Sequence, residues 1–216
     1  MHENHKKSKK MKKLIMTVIA LLPLTLWAQD NTWELPEEEE QQEVKEEKVN
    51  PDAKYLQGAV PMVDGKVVFN KTIDAPGKTA TQIYGILLQY LEKMTHEKNQ
   101  IHSQIAVQDA DKHELGASFE EWLVFRKSAL ALDRTRFYYV IQAFCQDGKA
   151  EVSMSRIRYL YDEQRSPQHL KAEEWITDKE AVNKKNTKLL PFSGKFRRKT
   201  IDRKDYLFNK FESLLK

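Results

Sequence analysis

Few residues of this sequence stand in the patterns that chemistry needs. The nearest approach to a metal cluster is Asp109-x-Asp111-x-His113, with His96 and His102 close by in the chain. A calcium loop would need a downstream Gly and Glu that are missing here. Ala110 and Lys112 instead give the segment the composition of an Asp-rich turn, in which short carboxylates bond their own backbone. No metal is therefore expected. Glu120-Glu121 and Glu173-Glu174 are adjacent pairs, and sequence neighbours on a strand or helix do not face one another. They read as solvated faces or caps rather than a general acid–base couple. Cys145 is the only cysteine, which excludes an intramolecular disulfide and a cysteine metal cluster. A lone thiol of this kind reads as a buried core residue before a reactive, regulatory one.

Motifs that announce catalysis are missing as well. There is no G-x-G-x-x-G, no Walker lysine loop, no G-x-S-x-G and no H-E-x-x-H, and with seven scattered glycines the first two could hardly arise. No cofactor is expected, and the balance leans away from an enzyme. What remains is a surface, and one turn defines it. If Asp147-Gly148 is a two-residue hairpin turn, Gln146 opposes Lys149 and the register follows outward. One face then carries Cys145/Ala150, Ala143/Val152 and Ile141/Met154, small and wholly apolar, which should lie beneath helices. The other carries Phe144/Glu151, Gln142/Ser153, Val140/Ser155 and Tyr138/Ile157, with Tyr159 beyond. Aromatics interleaved with amides and hydroxyls resemble recognition surfaces, where Tyr supplies area at low entropic cost and amides supply orientation. Tyr138, Gln142, Phe144, Ser153, Ser155 and Tyr159 are accordingly expected to line a ligand or partner site. The competing expectation is that the N-terminal segment or a homodimer covers this face. By the same count Arg156 and Arg158 fall on the apolar face opposite Tyr139 and Phe137. They fit poorly there, unless they lie past the helices' edge or a bulge resets the register.

The elements that position this face can be read from spacing. Asp64-Gly65 suits a type I′ turn between Gly58–Val63 and Lys66–Ile73. Thr79 or Thr81 can cap a helix to about Met94 or Asn99, with Ile83, Ile86, Leu87, Tyr90, Leu91 and Met94 on one side. Four strand-like runs follow: Ser103–Gln108, Leu115–Phe125, Phe137–Cys145 and Ala150–Tyr161. A helix is expected over Ala172–Asn186, with Trp175 as a buried anchor. Pro191–Lys199 reads as basic and irregular, and Asp202 as the cap of a last helix bearing Leu207, Phe208, Phe211, Leu214 and Leu215. Clustered strands flanked by helices argue an α+β domain, an antiparallel sheet with helices packed on one face.

A family resemblance rests on later motifs. Glu121-Trp122, Val124-Phe125, Leu132-Asp133, Arg136-Phe137-Tyr138-Tyr139, Arg156-Ile157-Arg158-Tyr159-Leu160-Tyr161, Glu173-Glu174-Trp175-Ile176-Thr177-Asp178 and Lys195 to Asp202 (KFRRKTID) carry it. From Tyr55 to the C-terminus the chain resembles an exported-protein family, domain of unknown function 4468, described as having a TBP-like fold. The resemblance implies a curved antiparallel sheet with helices on its convex side. It implies no activity and supplies no catalytic residues.

Charge divides the chain into three. Residues 1–28 carry six lysines and one glutamate, for +5; residues 29–50 carry two lysines and nine acids, for −7; the remaining residues, 51–216, sum to +6. The first segment pairs a lysine-rich n-region with an apolar run from Leu14 to Leu26 that is too short to span a bilayer, followed by Ala28. It reads as a signal peptide, with Met1 or Met11 as the start and no transmembrane segment left after cleavage. Residues 29–52 have little to bury and read as an acidic disordered tether, leaving 53–216 as the domain. The basic C-terminal third (Lys184, Lys185, Lys188, Lys195, Arg197, Arg198, Lys199, Arg203 and Lys204) reads as a solvated, partly helical surface, with attraction to anionic lipid or glycan as its rival. Export argues against a nucleic-acid partner. The expectation is an exported periplasmic or envelope protein that binds a small ligand or an envelope protein without catalysis. The alternative is an envelope enzyme, hydrolytic in kind, with a site no motif reveals. N-terminal sequencing of protein recovered from the envelope should give a chain beginning near Gln29; a chain that begins at Met1 or Met11 and stays in the cytoplasm would remove the export reading.

Overall fold

The computed structural model describes Thr32–Trp33 and residues 50–128 and 131–216; the leader and most of the acidic segment lie outside the described residues. In chain order the elements are β1 (Thr32–Trp33), β2 (Met62–Val63), β3 (Lys66–Val67), β4 (Phe69–Asp74), α1 (Ala80–Thr95), β5 (Gln104–Asp109), β6 (Glu114–Ser128), β7 (Ala131–Gln146), β8 (Lys149–Tyr161), β9 (Gln168–Lys171), α2 (Ala172–Trp175), α3 (Asp178–Ala181) and α4 (Ser193–Leu215). Three long strands, β6, β7 and β8, form an antiparallel meander at the centre of the main sheet, with β4 beyond β8. Both outer edges are built in two pieces. β5 and the parallel β1 pair with successive parts of β6, and β4 and β9 pair with successive parts of β8. Two residues of the segment read as a tether, Thr32 and Trp33, thus belong to the sheet. β2 and β3 form a separate hairpin whose Asp64 and Gly65 have φ of 47° and 72°, the left-handed pair that a type I′ turn requires.

The helix expected after Asp74-Ala-Pro-Gly is α1. Thr79 accepts from the Gln82 amide, and the Gln82 side chain accepts from the Thr79 amide at 2.9 Å, a reciprocal cap of two otherwise orphan donors. The turn Asp147-Gly148 braces the same end: Asp147 Oδ1 accepts from the Ala80 amide at 2.7 Å. α1 and α4 cover one face of the sheet. Ile83, Leu87, Leu91 and Met94 meet Leu207, Phe211 and Leu215 over Ala143, Cys145, Ala150, Val152 and Met154, all buried. The six apolar residues expected beneath the helices are there. Burial pushes the Cys145 thiol up to about 11, so it packs as an apolar group and has little thiolate character.

Three expectations fail in the C-terminal third. Ala172–Asn186 is not one helix but α2 and α3, joined at an extended Thr177. The break has a tertiary cause. Arg197, fully buried, donates to the Ile176 carbonyl at 2.7 Å, to the Tyr55 and Leu56 carbonyls at 2.6 Å each, and to Asp178 Oδ1 at 2.6 Å. Trp175 sits at the core margin, half-buried with its ring edge-on to Phe196 at 6.0 Å, rather than deep inside. Nor does Asp202 cap the last helix. α4 begins nine residues earlier, at Ser193, and takes in much of the stretch read as irregular. Gly194 permits that start, since a Cβ there would lie 2.7 Å from the Leu189 Cβ. Asp202 lies inside α4, buried, accepting from the Tyr55 hydroxyl at 2.7 Å and paired with Lys54 at 2.8 Å.

The basic third is therefore not one solvated surface: Lys184, Lys185 and Lys188 are exposed, but the arginines turn inward or pair. Arg197 and Arg203 are fully buried, Arg198 is paired with Asp52, and Lys195 contacts Asp133 at 2.7 Å. Deepest is Arg203, whose Nε and Nη2 donate to the two oxygens of Glu121 at 2.7 and 2.8 Å; both side chains are 0% exposed. Asn99 and Gln100 also donate to Glu121, at 2.8 and 2.7 Å. A carboxylate so placed is tolerable only because its lone pairs are filled. Glu121→Ala should then destabilise the protein by about 3–5 kcal/mol, leaving a buried guanidinium without its counter-charge. The double replacement Glu121→Leu/Arg203→Met should lose much less, as chemical denaturation of the two variants would show.

Candidate functional site

Among the described residues, no helix lies across the face of the sheet away from α1 and α4. Along β7 it presents Tyr138, Val140, Gln142 and Phe144, and along β8 it presents Ser153 and Ser155. The register from the Asp147-Gly148 turn holds from Gln146↔Lys149 through Cys145↔Ala150, Phe144↔Glu151 and Gln142↔Ser153 to Val140↔Ser155. Phe144 is 42% exposed, an unusual position for an aromatic ring in mid-sheet.

One residue further, the register shifts. Tyr138 pairs with Arg158, not with Ile157, and Phe137 pairs with Tyr159. Two residues of β8, Arg156 and Ile157, stand opposite Tyr139, and Arg156 takes a left-handed φ of 54°. This is a bulge on β8. Because side chains alternate with period two, one extra residue exchanges the faces of everything beyond it. Ile157 and Tyr159 turn inward and are buried, while Arg156 and Arg158 turn outward and are exposed. Tyr159 is thereby corrected from the expected site. Its ring stacks on Phe137 at 5.5 Å under α4, and its hydroxyl shares a 2.6 Å hydrogen bond with Thr200.

At the bulge the open face deepens into a groove of ≈ 850 Å³. Tyr138, Val140 and Ser155 lie in it, joined by Ser118 and Glu120 of β6 and by His102. Its outer wall is a gap in the sheet edge. The β4 pairing begins at Phe69↔Met154 and the β9 pairing at Arg158↔Lys171, so among the described residues no strand pairs with residues 155–157 of β8 on that side. Lys66 and Lys171 stand on the two rims of the gap. Both carboxylates of the lining are engaged: Glu120 is bound by Arg136 at 2.8 Å, and Glu173 accepts from the Val67 amide at 3.1 Å. The Arg158 guanidinium lies 5.4 Å from the centroid of the Tyr138 ring. Partial burial, and then the neighbouring Glu120, push the Tyr138 phenol up, so it is a neutral hydrogen-bonding group.

Of the expected site residues, Tyr138 and Ser155 line the groove, and Phe144 and Ser153 line a shallower depression of ≈ 170 Å³ further along the same face. Gln142 is exposed on that face, in the same β7 row between Val140 and Phe144. Sequence reasoning missed Lys66, His102, Ser118 and Lys171, which come from segments far apart in the chain and carry no local signal. It did contain a signal for Arg158: two arginines counted onto an apolar face. The other chemical candidates are structural. Asp109 Oδ1 accepts from the amides of Asp111 and Lys112 at 3.2 and 3.0 Å, as an Asp-rich turn should. His113 is hydrogen-bonded to Thr81 at 2.9 Å, and among the described residues no group of His, Cys, Asp and Glu is gathered to hold a metal ion.

An α+β domain with one helix-covered and one open sheet face is the class that these features define. The chain belongs to the family described as a domain of unknown function (DUF4468) with TBP-like fold, whose family model matches residues 69–160. A crystal structure of a DUF4468 family protein from Bacteroides ovatus is similar at 42% identity and a TM-score of 0.70, covering 76% of this chain and 94% of that one. A TBP-like protein from Parabacteroides distasonis is similar at 19% identity and a TM-score of 0.60, over 72% of this chain and 96% of that one, which speaks to the fold alone. No curated protein matches the sequence.

The bulge residue makes a testable statement about backbone cost. A non-glycine residue in the left-handed region is strained by about 1–2 kcal/mol, against about 0.5–1 kcal/mol for the entropy of glycine. Arg156→Gly should therefore melt no lower than the parent protein. Arg156→Val, β-branched where φ is positive, should be less stable by about 1–2 kcal/mol in the same thermal unfolding measurement.

Proposed function

We propose that this protein is exported to the cell envelope and acts there as a non-catalytic binding module, taking a small ligand or an envelope partner on its open sheet face. The observation that carries the reading is the open face itself. Tyr138, Val140, Gln142 and Phe144 run in one row beside Ser153 and Ser155, uncovered by any described helix and continuous with a groove. Aromatic and aliphatic side chains ranged in one contiguous row, rather than scattered singly, favour a contact surface. The lysine-rich n-region and short apolar run of residues 1–28 support export, and no helix among the described residues is long and apolar enough to cross a membrane.

The test is photo-crosslinking in the bacterium that makes the protein. A photoreactive residue at Gln142, on the open face, should give a defined adduct in the envelope fraction, and the same residue at Lys210, exposed on α4, should not. Equal labelling from both positions, or none from Gln142, would overturn the reading. A product of twice the chain mass from Gln142 alone would assign the face to self-association.

A further inference from the structure

The geometry points to a ligand class for the groove: a small anion, carboxylate or phosphate, carried on a ring-sized body and held by Arg156 and Arg158. This rests on the reading of the open face as a binding surface and goes beyond it by naming what binds.

Arginines elsewhere in this molecule show what a structural arginine looks like here. Arg197 and Arg203 are fully buried with carboxylate partners, Arg136 is held between Glu120 and Glu163, and Arg198 is paired with Asp52. Arg156 and Arg158 differ from these, as Arg126 and Arg134 also do, but of these four it is Arg156 and Arg158 that line the groove. Neither has an ion-pair partner within 4.0 Å among the described residues, and the Arg158 guanidinium lies over the ring of Tyr138. Lys66, on the near rim, likewise has no carboxylate within 4.0 Å among the described residues, while Lys171 on the far rim reaches Glu174 at 3.2 Å. Glu120 is held by Arg136, while Glu173 takes only the Val67 amide and keeps its charge, so Lys66, Arg156, Arg158 and Lys171 face two carboxylates in the lining and the groove is net positive. A concave, partly apolar wall then concentrates the field around the two guanidinium groups.

The bulge supplies the second observation. It puts a non-glycine residue into a left-handed conformation at the point where the sheet edge is open. A strained residue at such a place is a device that re-aims side chains, and here the side chains re-aimed outward are the two arginines. Guanidinium is suited to carboxylate and phosphate, which it can grip through two parallel N–H···O bonds. The remaining lining sets the body of the ligand: the ring of Tyr138 and the side chain of Val140 offer an apolar face, and Ser118 and Ser155 offer hydroxyls. A volume of ≈ 850 Å³ lies within the range of small-molecule sites, about 300–1,000 Å³.

Titration of the isotope-labelled full chain with benzoate, phenyl phosphate and the neutral benzyl alcohol, followed by amide NMR, tests this. Benzoate or phenyl phosphate should shift Val140, Ser155 and Ile157 saturably, and benzyl alcohol should not; the stronger of the two anions tells carboxylate from phosphate. Arg156→Gly/Arg158→Gln should raise the Kd by about tenfold or more, the loss expected for charge-assisted hydrogen bonds. Arg156→Gly relieves the backbone, so a folded control is at hand, and the parent protein's Kd should also rise with salt. No saturable shift with either anion, equal binding of benzyl alcohol, or a Kd unmoved by the double substitution would overturn the proposal. An envelope adduct from Gln142 together with no anion binding would leave the binding module standing and remove only the ligand class.

Discussion

The contact on which the rest of the structure depends is the buried pair between Glu121 in β6 and Arg203 in α4. Two charges at 0% exposure are costly to desolvate, and the cost is offset here by bidentate geometry and by Asn99 and Gln100 on the same carboxylate. The pair fixes more than an energy. It sets where along its length α4 touches the sheet, and the neighbouring turns of α4 follow. Arg197 reaches the Tyr55 and Leu56 carbonyls and α3, Asp202 takes the Tyr55 hydroxyl, and Thr200 meets Tyr159. Apolar packing alone could slide by a turn at modest cost. A buried ion pair cannot, because every other register leaves a charge without a partner.

With α4 seated there, the inner face becomes an aromatic layer. Phe119 stacks on Tyr139 at 5.1 Å, Phe137 stacks on Tyr159 at 5.5 Å, and Tyr159 meets Phe196 edge-on at 5.1 Å. Tyr159 joins that layer only through the bulge at Arg156. The same backbone irregularity thus completes the core on one face and charges the groove on the other. Core packing and the candidate site are coupled through one residue's φ.

The open face is also divided by its electrostatics. Around Trp122, Arg134 and Arg136 lie 3.6 and 5.4 Å from the ring, and Arg136 bridges Glu120 and Glu163. At that end Arg136 is held by two carboxylates, while Arg134 lies against the Trp122 ring. Towards the β4–β9 gap Lys171 reaches Glu174, whereas Lys66, Arg156 and Arg158 have no carboxylate within 4.0 Å among the described residues. The contrast within one sheet face, between satisfied and unsatisfied charge, is what separates a structural surface from a candidate binding surface here.

Local rules carried the sequence a long way. The two-residue turn at Asp147-Gly148 determined the register of β7 and β8 for seven pairs, and with it which residues lie beneath helices, because period-two alternation leaves no freedom once one pair is set. The Thr79 cap, the Asp64-Gly65 turn and the Asp-rich turn before His113 were legible for the same reason: each closes its hydrogen bonds within a few residues. Tertiary structure decided the rest. The bulge that moves Tyr159 inward and Arg158 outward answers to packing against α4. The break between α2 and α3 answers to Arg197, and the place of Asp202 inside a helix answers to Tyr55 and Lys54. In each case the partner that settles the conformation is about 20 to 150 residues away, and no local pattern records it.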